Sequence, residues 1–251
     1  MNRETKINQI LKQIPKGSVL LSSWLAKQGY SYSLQQSYRH SSWFTSVGRG
    51  VMVRSGDQLL LSGAISALQL QAELPLHIGG RSALGLLGYS HYVELYSKET
   101  LIFSNTDIHI PKWLFNIDWD SQPIIIKTSF LPDYAGLTNF DANGINLKIS
   151  GAARAILECL ELAPAKFDLY EAWEIMQGLS LLQPETVNLL LINCRSVKVK
   201  RLFLYFAEKA GHAWFKKINK EKINLGKGKR SITRKGVYVP EYMITLPENL
   251  V

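Results

Sequence analysis

Residues 6–54 read KINQILKQIPKGSVLLSSWLAKQGYSYSLQQSYRHSSWFTSVGRGVMVR, and this stretch decides the fold of the N-terminal part of the chain. Apolar side chains at the i, i+3, i+4, i+7 spacing of one helix face, from Ile7 to Ile14, predict a first helix. A short second helix follows, which Ser22 or Ser23 can cap. Two helices in this order are typical of the start of a helix-turn-helix.

The segment SLQQSYRHSS, residues 33–42, predicts the third helix. Ser33 and Gln36 form an S-x-x-Q capping box, which gives this helix a defined start. Leu34 and Tyr38 lie one helical turn apart and are expected on its inner face. The polar residues of the segment are then expected on an exposed outer arc.

The residues after the third helix predict a hairpin. Trp43–Val47 and Val51–Val53 read as two short strands, and Gly48-Arg49-Gly50 between them is a turn signal. Three helices followed by a hairpin are the order of a winged helix-turn-helix, a fold that binds duplex DNA.

The third helix and the hairpin carry side chains that suit DNA contacts. Arg can pair with guanine and Gln with adenine through two hydrogen bonds, so these residue types on the outer arc are the expected base readers. The expected base-reading group consists of Gln35, Gln36 and Arg39, with His40 beside them. The expected phosphate contacts are Lys27, Ser31, Ser33, Arg49 and Arg54. The alternative is an ordinary polar face on a small helical bundle.

Charge is unevenly distributed along the 251 residues, whose net charge is +9. Residues 1–57 carry a net charge of +6, residues 58–194 a net charge of −7, and residues 195–235 a net charge of +12. Two basic regions that flank an acidic middle favour a polyanion such as DNA at the flanks.

The second basic region is a candidate second contact for nucleic acid. Its candidate residues are Lys198, Lys200 and Arg201 at helix spacing, then Lys216 and Lys217, and Lys227, Lys229 and Arg230 in a glycine-containing loop. Two other interpretations stay open, namely a solvated basic face and a surface for an acidic protein partner.

The rest of the chain alternates between helix and strand patterns. Helices are predicted over residues 65–73, 82–87, 152–162, 169–177, 184–193 and 197–210, and strands over residues 92–96, 100–104, 123–128, 145–149 and 237–246. The sequence therefore predicts an α+β protein. A winged helix-turn-helix, residues 1–58, is followed by a larger mixed α/β C-terminal domain, residues 59–251.

Nothing in the sequence requires an enzyme, a metal or a cofactor. Gly79-Gly80-Arg81 lacks a Walker or GxGxxG pattern, so tight packing is favoured over phosphate binding. The histidines lack metal-binding spacing, and Cys159 and Cys194 are expected as buried thiols. Neither a membrane-spanning run of about 18 apolar residues nor a signal-peptide pattern is present, which predicts a cytoplasmic protein.

Four blocks of the sequence carry a family resemblance. They are GRGVMVR at residues 48–54, HIGGRSALGLLGYSHYV at residues 77–93, SGAARAILECLEL at residues 150–162 and VKVKRLFLYFAEKAGHAWF at residues 197–215. Together these blocks resemble the AbiEi antitoxin family of type IV toxin-antitoxin systems, over nearly the whole chain. At the wing, this chain has Met52 where many relatives have Tyr.

The resemblance implies an N-terminal winged helix that represses its own promoter by binding inverted repeats, and a C-terminal domain that provides antitoxicity. By position, the base-reading role falls on the outer arc of the third helix, and the wing role falls on Arg49 and Arg54. The implied partner is a toxin of the AbiEii type, which resembles nucleotidyltransferases and is opposed without a stable complex. Inverted repeats imply two copies on DNA, recruited as monomers or as a dimer.

Two other functions are compatible with the sequence. The first is a winged-helix transcription factor without a toxin, whose C-terminal domain binds a ligand or a protein. The second is a nucleic-acid-processing enzyme that holds its substrate on the basic surface. The sequence has no recognisable cluster of acidic residues, which argues against the enzyme.

Overall fold

The structure is a computed structural model that describes residues 5–89, 98–105 and 107–251. Its fold is mixed α/β, as the sequence predicts. The chain divides into two compact units, and each is discontinuous in sequence. The first unit comprises Met1–His77, Lys98–Ile126 and Asn139–Lys148, and the second comprises Ile78–Ser97, Lys127–Thr138 and Ile149–Val251.

Residues 6–54 of the first unit form three helices and three strands. They are α1 (Lys6–Gln13), β1 (Val19–Leu21), α2 (Ser22–Lys27), α3 (Tyr32–His40), β2 (Phe44–Gly48) and β3 (Val51–Arg54). The strands form an antiparallel sheet in the order β1-β3-β2. A winged helix-turn-helix has the same element order, and its wing corresponds to β2, β3 and the turn between them.

A small apolar core holds these elements together. Its buried members are Ile10, Leu20, Leu25, Phe44 and Met52. Tyr38 of α3 packs edge-on against Phe44 of β2, with 6.1 Å between the ring centroids. The aromatic contact joins α3 to the first strand of the wing.

The start of α3 differs from the prediction. Ser31 caps the helix, because its Oγ accepts a hydrogen bond of 3.3 Å from the backbone N–H of Leu34. Ser33 lies inside the first turn, with its Oγ 3.0 Å from that of Ser31. The predicted capping box of Ser33 and Gln36 is therefore wrong, and the N-cap lies two residues earlier, at Ser31.

A second group of elements follows the wing. These elements are α4 (Leu61–Leu70), β4 (Leu76–Ile78), α5 (Gly80–Leu86), β5 (Glu99–Ser104), α6 (Trp113–Asn116), β6 (Gln122–Lys127), β7 (Leu137–Ala142) and β8 (Ile145–Ser150). The five strands form one sheet in the order β6-β5-β4-β8-β7, and β4 and β8 run parallel. The strands predicted over residues 100–104, 123–128 and 145–149 are confirmed as β5, β6 and β8. The strand predicted over residues 92–96 lies outside the described residues.

Within the first unit, the side-chain amides of two glutamines at the end of α4 form hydrogen bonds with the backbone of neighbouring strands. Gln71 accepts from the N–H of Leu21 at 2.8 Å and donates to the carbonyl of Val19 at 2.7 Å, so it covers the outer edge of β1. Gln69 donates to the carbonyl of Leu76 at 3.0 Å and exchanges two hydrogen bonds with the backbone of Lys148. The end of α4 is therefore hydrogen-bonded to both sheets.

The second unit is mainly helical. Its remaining elements are α7 (Ala152–Leu162), α8 (Leu169–Gly178), α9 (Pro184–Asn193), α10 (Val197–Lys209), β9 (Arg230–Ser231), β10 (Val237–Val239) and β11 (Ile244–Leu246). The four helices lie where the periodicity predicts. The single strand predicted over residues 237–246 is wrong, because residues 240–243 turn the chain and β10 pairs antiparallel with β11.

The thiols of the two cysteines are buried and free, as predicted. Burial raises the pKa of the Cys194 thiol to about 11, so this thiol is protonated at neutral pH. Within residues 5–89, 98–105 and 107–251, no helix has the length and apolar character that crossing a membrane needs.

A buried ion pair lies between α5 and α7. The Glu158 carboxylate accepts from Arg154 Nε at 2.8 Å, from Ser150 Oγ at 2.7 Å and from the backbone N–H of Gly80 at 2.8 Å. The Arg154 guanidinium also donates to two loop carbonyls, each at 2.6 Å. The Glu158 carboxylate thus occupies the start of α5, where a phosphate would sit, and this arrangement supports packing over phosphate binding for the glycines.

We expect Glu158→Gln to lower the free energy of unfolding by roughly 3–5 kcal/mol, because the Arg154 guanidinium would stay buried without its counter-charge. Urea denaturation of the full chain measures the change. The control is Glu241→Gln at an exposed turn, for which we expect a change below about 0.5 kcal/mol. Equal losses in the two variants would contradict a structural role for the buried pair.

Candidate nucleic-acid interface

A groove runs between α3 and the wing hairpin in the first unit. It has a volume of about 510 Å³. The polar and aromatic side chains that line it are Ser22, Tyr32, Ser33, Gln36, Arg39, Ser46 and Arg49. The groove therefore brings together residues of the third helix and the wing that the sequence assigned to DNA contacts.

One stripe of α3 faces this groove. Tyr32, Gln36 and Arg39 are spaced i, i+4, i+7, which places them on one face of the helix. Gln36 and His40 are exposed, and their side-chain nitrogens lie 3.5 Å apart. Arg39 is half-buried. The structure thus brings three of the four expected base readers to the solvent side of α3.

Gln35 does not lie on this stripe. Its side chain is 1% exposed, and its amide donates to the carbonyls of Ser22 at 3.0 Å and Tyr30 at 2.7 Å. The prediction that Gln35 lies on the outer arc is wrong. At about 100° per residue it lies only about 60° from Tyr38 on the inner face, and this angle turns it toward α2.

The residues expected at phosphates take different places. Arg49 is exposed at the hairpin tip, beside Gly50, whose φ of 72° suits glycine. Lys27 is exposed in the last turn of α2, and Ser31 and Ser33 are exposed at the start of α3. Arg54, half-buried at the end of β3, does not line the groove.

Tyr32 and Ser46 line the groove, but sequence reasoning missed both. The predicted helix started at Ser33, so Tyr32 was assigned to the turn. The serine at position 31 was the available signal, because an N-cap there places Tyr32 at the first helical position. Ser46 faces the groove from β2, where strand alternation alone does not identify the exposed side.

The wing is seated on apolar side chains. Met52 of β3 is 1% exposed and belongs to the core described above. A Cβ placed on Gly48 would lie 3.4 Å from the Cβ of Trp113 in α6, so the wing packs closely against α6 at this residue.

The basic helical face predicted for α10 is wrong. Lys200 is 5% exposed and Arg201 is fully buried. Lys198 is partly buried, and its ammonium donates to the carbonyls of Glu161 at 2.6 Å and Ala163 at 2.8 Å. Burial lowers the pKa of Lys198. Lys198 and Arg201 thus bind other parts of the second unit, Lys200 is buried, and the three residues do not form an open surface.

Arg201 stabilises the glycine-containing loop that follows. Its guanidinium donates to the carbonyls of Leu225 at 2.9 Å, Gly226 at 3.2 Å, Gly228 at 2.7 Å and Met243 at 3.1 Å. A guanidinium offers five donors in a fixed plane, so four carbonyls around it define one shape for the loop.

The other predicted candidate residues of the second region are exposed. They are Lys216, Lys217, Lys227, Lys229 and Arg230. The Lys229 ammonium lies 4.7 Å from the ring centroid of Tyr238. The surviving part of the predicted second surface is therefore the loop that Arg201 holds, together with the two lysines at positions 216 and 217.

Comparison with known families gives two matches. A profile described as "Transcriptional regulator, AbiEi antitoxin N-terminal domain" matches residues 3–95. A profile described as "Transcriptional regulator, AbiEi antitoxin, Type IV TA system" matches residues 97–247. The chain belongs to the AbiEi family. The resemblance seen in the four sequence blocks is confirmed, and the chain is an antitoxin-class transcriptional regulator of a type IV toxin-antitoxin system.

This AbiEi chain is also similar to a solved structure. The crystal structure of the RV2827C protein from Mycobacterium tuberculosis matches it with a TM-score of 0.60 and 15% sequence identity. The match covers 95% of this chain and 88% of that chain. At this identity the similarity concerns the fold alone. No curated protein matches the AbiEi chain.

Gln35 and Gln36 of this AbiEi chain form a matched pair for mutation. We expect Gln35→Ala to lower the free energy of unfolding by roughly 1–3 kcal/mol, because the carbonyls of Ser22 and Tyr30 would lose the donor that Gln35 supplies. We expect Gln36→Ala, at the exposed neighbour, to change it by less than about 0.5 kcal/mol. Urea denaturation of the two full-length variants measures the difference. The buried role of Gln35 is refuted if Gln36→Ala is as destabilising.

Proposed function

We propose that this AbiEi-family chain represses its own promoter by binding inverted repeats in duplex DNA through α3 and the wing. The groove that joins Gln36 and Arg39 of α3 to Arg49 of the wing carries the proposal. Residues 1–58 are the proposed DNA-contacting module, and residues 59–251 form the proposed antitoxin domain. Inverted repeats would place one copy of the chain on each half-site.

The proposed mode of binding follows from the chemistry of the stripe. With α3 in the major groove, the Arg39 guanidinium can pair with guanine, the Gln36 amide with adenine, and His40 can contact a neighbouring base or phosphate. Arg49 at the wing tip is the proposed contact to phosphate or the minor groove. Lys27, Ser31 and Ser33 lie near the start of α3 or the end of α2 and would position the helix on the DNA backbone.

We expect Arg39→Ala to weaken binding to the promoter duplex by roughly 1–3 kcal/mol, with little change for unrelated duplexes, because a base contact carries sequence information. A mobility-shift titration of both duplexes measures this difference. Lys166→Ala, at an exposed position of the second unit, serves as the control and should bind as the wild type does. Unchanged promoter binding by Arg39→Ala would remove α3 as the reader.

The exposed cations of the second unit are a proposed second surface for DNA or for antitoxicity. They carry like charge, and within residues 195–235 only Glu208 and Glu221 are acidic. Glu208 is already bonded to Lys220 at 2.9 Å and to the Tyr242 hydroxyl at 2.6 Å. The positive charge of the loop is therefore available to a polyanion.

Charge reversal of Lys227, Lys229 and Arg230 to Glu should lower the affinity for any duplex. It should also reduce the log–log slope of affinity against salt concentration by about 0.9 for each phosphate that the loop no longer neutralises. Titrations at several salt concentrations measure this slope. The control reverses Lys98, Lys148 and Lys166, three exposed residues with the same total charge. An unchanged slope would mean that the loop faces something other than DNA.

The proposed partner in the toxin-antitoxin system is a nucleotidyltransferase-like toxin of the AbiEii type, opposed without a stable complex. Growth rescue upon co-expression of that toxin with the wild-type chain tests this partner. The charge-reversed loop variant in the same assay separates the two roles of the second surface. If the charge-reversed variant fails to rescue growth but binds DNA as the wild type does, the loop acts in antitoxicity. If the variant rescues growth but binds DNA more weakly, the loop contacts DNA.

A further inference from the structure

An exposed aromatic side chain lines the groove. Tyr32 is the first residue of α3, and its side chain is 64% exposed. It lines the groove together with Gln36 and Arg39, on the same face of the helix.

The two neighbouring tyrosines of the module illustrate a structural role. Tyr30 is half-buried, and its hydroxyl donates to the carbonyl of Lys6 at 3.4 Å. Tyr38 is half-buried and packs against Phe44. Among the described residues, the side chain of Tyr32 has neither kind of partner. Its ring therefore contributes to the surface and not to the core.

The position of Tyr32 determines what its ring can reach. In a helix-turn-helix, the N-terminal residues of the recognition helix contact the base edges. In the major groove, thymine presents a methyl group, which is read by apolar contact. The stripe already has a guanidinium suited to guanine and an amide suited to adenine, whereas Tyr32 is its only large apolar group among the groove-lining residues of α3.

We infer that Tyr32 reads thymine in the operator, through contact of its ring with the thymine 5-methyl group. The inference rests on the proposed function, in which α3 enters the major groove. It adds a specificity-determining residue to Gln36 and Arg39 of the same stripe, at the first helical position of α3.

The experiment removes the methyl group and the ring separately. The full-length protein first selects a preferred duplex from a random library, and a second duplex then carries uracil in place of every thymine in that site. Uracil pairs as thymine does and lacks only the methyl group. Burial of one methyl group corresponds to about 0.8 kcal/mol, so the wild type should bind the uracil duplex about fourfold more weakly for each methyl group that it reads.

The variants should respond as follows. Tyr32→Ala should bind the thymine duplex more weakly and lose at least one such fourfold factor of thymine preference. Tyr32→Phe keeps the ring and should retain the preference. The matched control is Tyr134→Ala, since Tyr134 is 82% exposed in the second unit, and it should behave as the wild type. Circular dichroism melts establish that each variant is folded.

Three results would overturn the inference. The first is equal dissociation constants of the wild type for the thymine and uracil duplexes. The second is full thymine preference in Tyr32→Ala. The third is an effect of Tyr32→Phe as large as that of Tyr32→Ala, which would mean that the hydroxyl contacts a phosphate.

The proposed function has its own point of failure in the same experiment. If the library yields no preferred duplex, or if Arg39→Ala binds the selected duplex as the wild type does, the proposed function fails and the inference fails with it. If binding depends on Arg39 but is indifferent to uracil, the inference about Tyr32 alone is overturned.

Discussion

The side-chain amide of Gln35 ties α3 to the elements before it, through hydrogen bonds to carbonyls at the start of α2 and in the turn before α3. Together with the contact of Tyr38 on Phe44, it sets the rotation of α3 about its own axis. One residue of shift would rotate the helix by about 100° and remove Gln36 and Arg39 from the groove. The chemistry of the exposed stripe therefore depends on a polar residue that is itself inaccessible to DNA.

Formal charge and surface charge differ in the second unit. Lys200 and Arg201 contribute to the +12 of residues 195–235, but both are buried. Arg201 instead binds backbone carbonyls of the loop that carries Lys227 and Lys229. The buried guanidinium therefore positions the two exposed lysines. Glu158 and Arg154 are also buried, and they form an ion pair with each other. Among the described residues, the charged side chains of Arg154, Glu158, Lys200 and Arg201 are buried in the second unit.

Sequence patterns predicted the longer elements well. The bounds of α7 and α9 agree with their periodicity, because both helices present long apolar faces and Pro184 marks the start of α9. The three-residue strand β1 was not predicted, because so short a run has no clear alternation. The turn between β10 and β11 was missed because Met243 adopts a positive φ that its residue type does not signal. Gln35 was misplaced because it lies at the border between the two faces of α3, where polarity does not decide burial.

Gln69 and Gln71 limit how the winged helix can be transferred to another protein. They are two residues apart, so their side chains leave the end of α4 about 200° from each other and reach different sheets. Inserting or deleting one residue within α4 would turn both amides away from their strands in a single step. A chimera that grafts the winged helix onto another protein would have to carry α4 with it, since a junction at residue 58 leaves the edge of β1 uncovered.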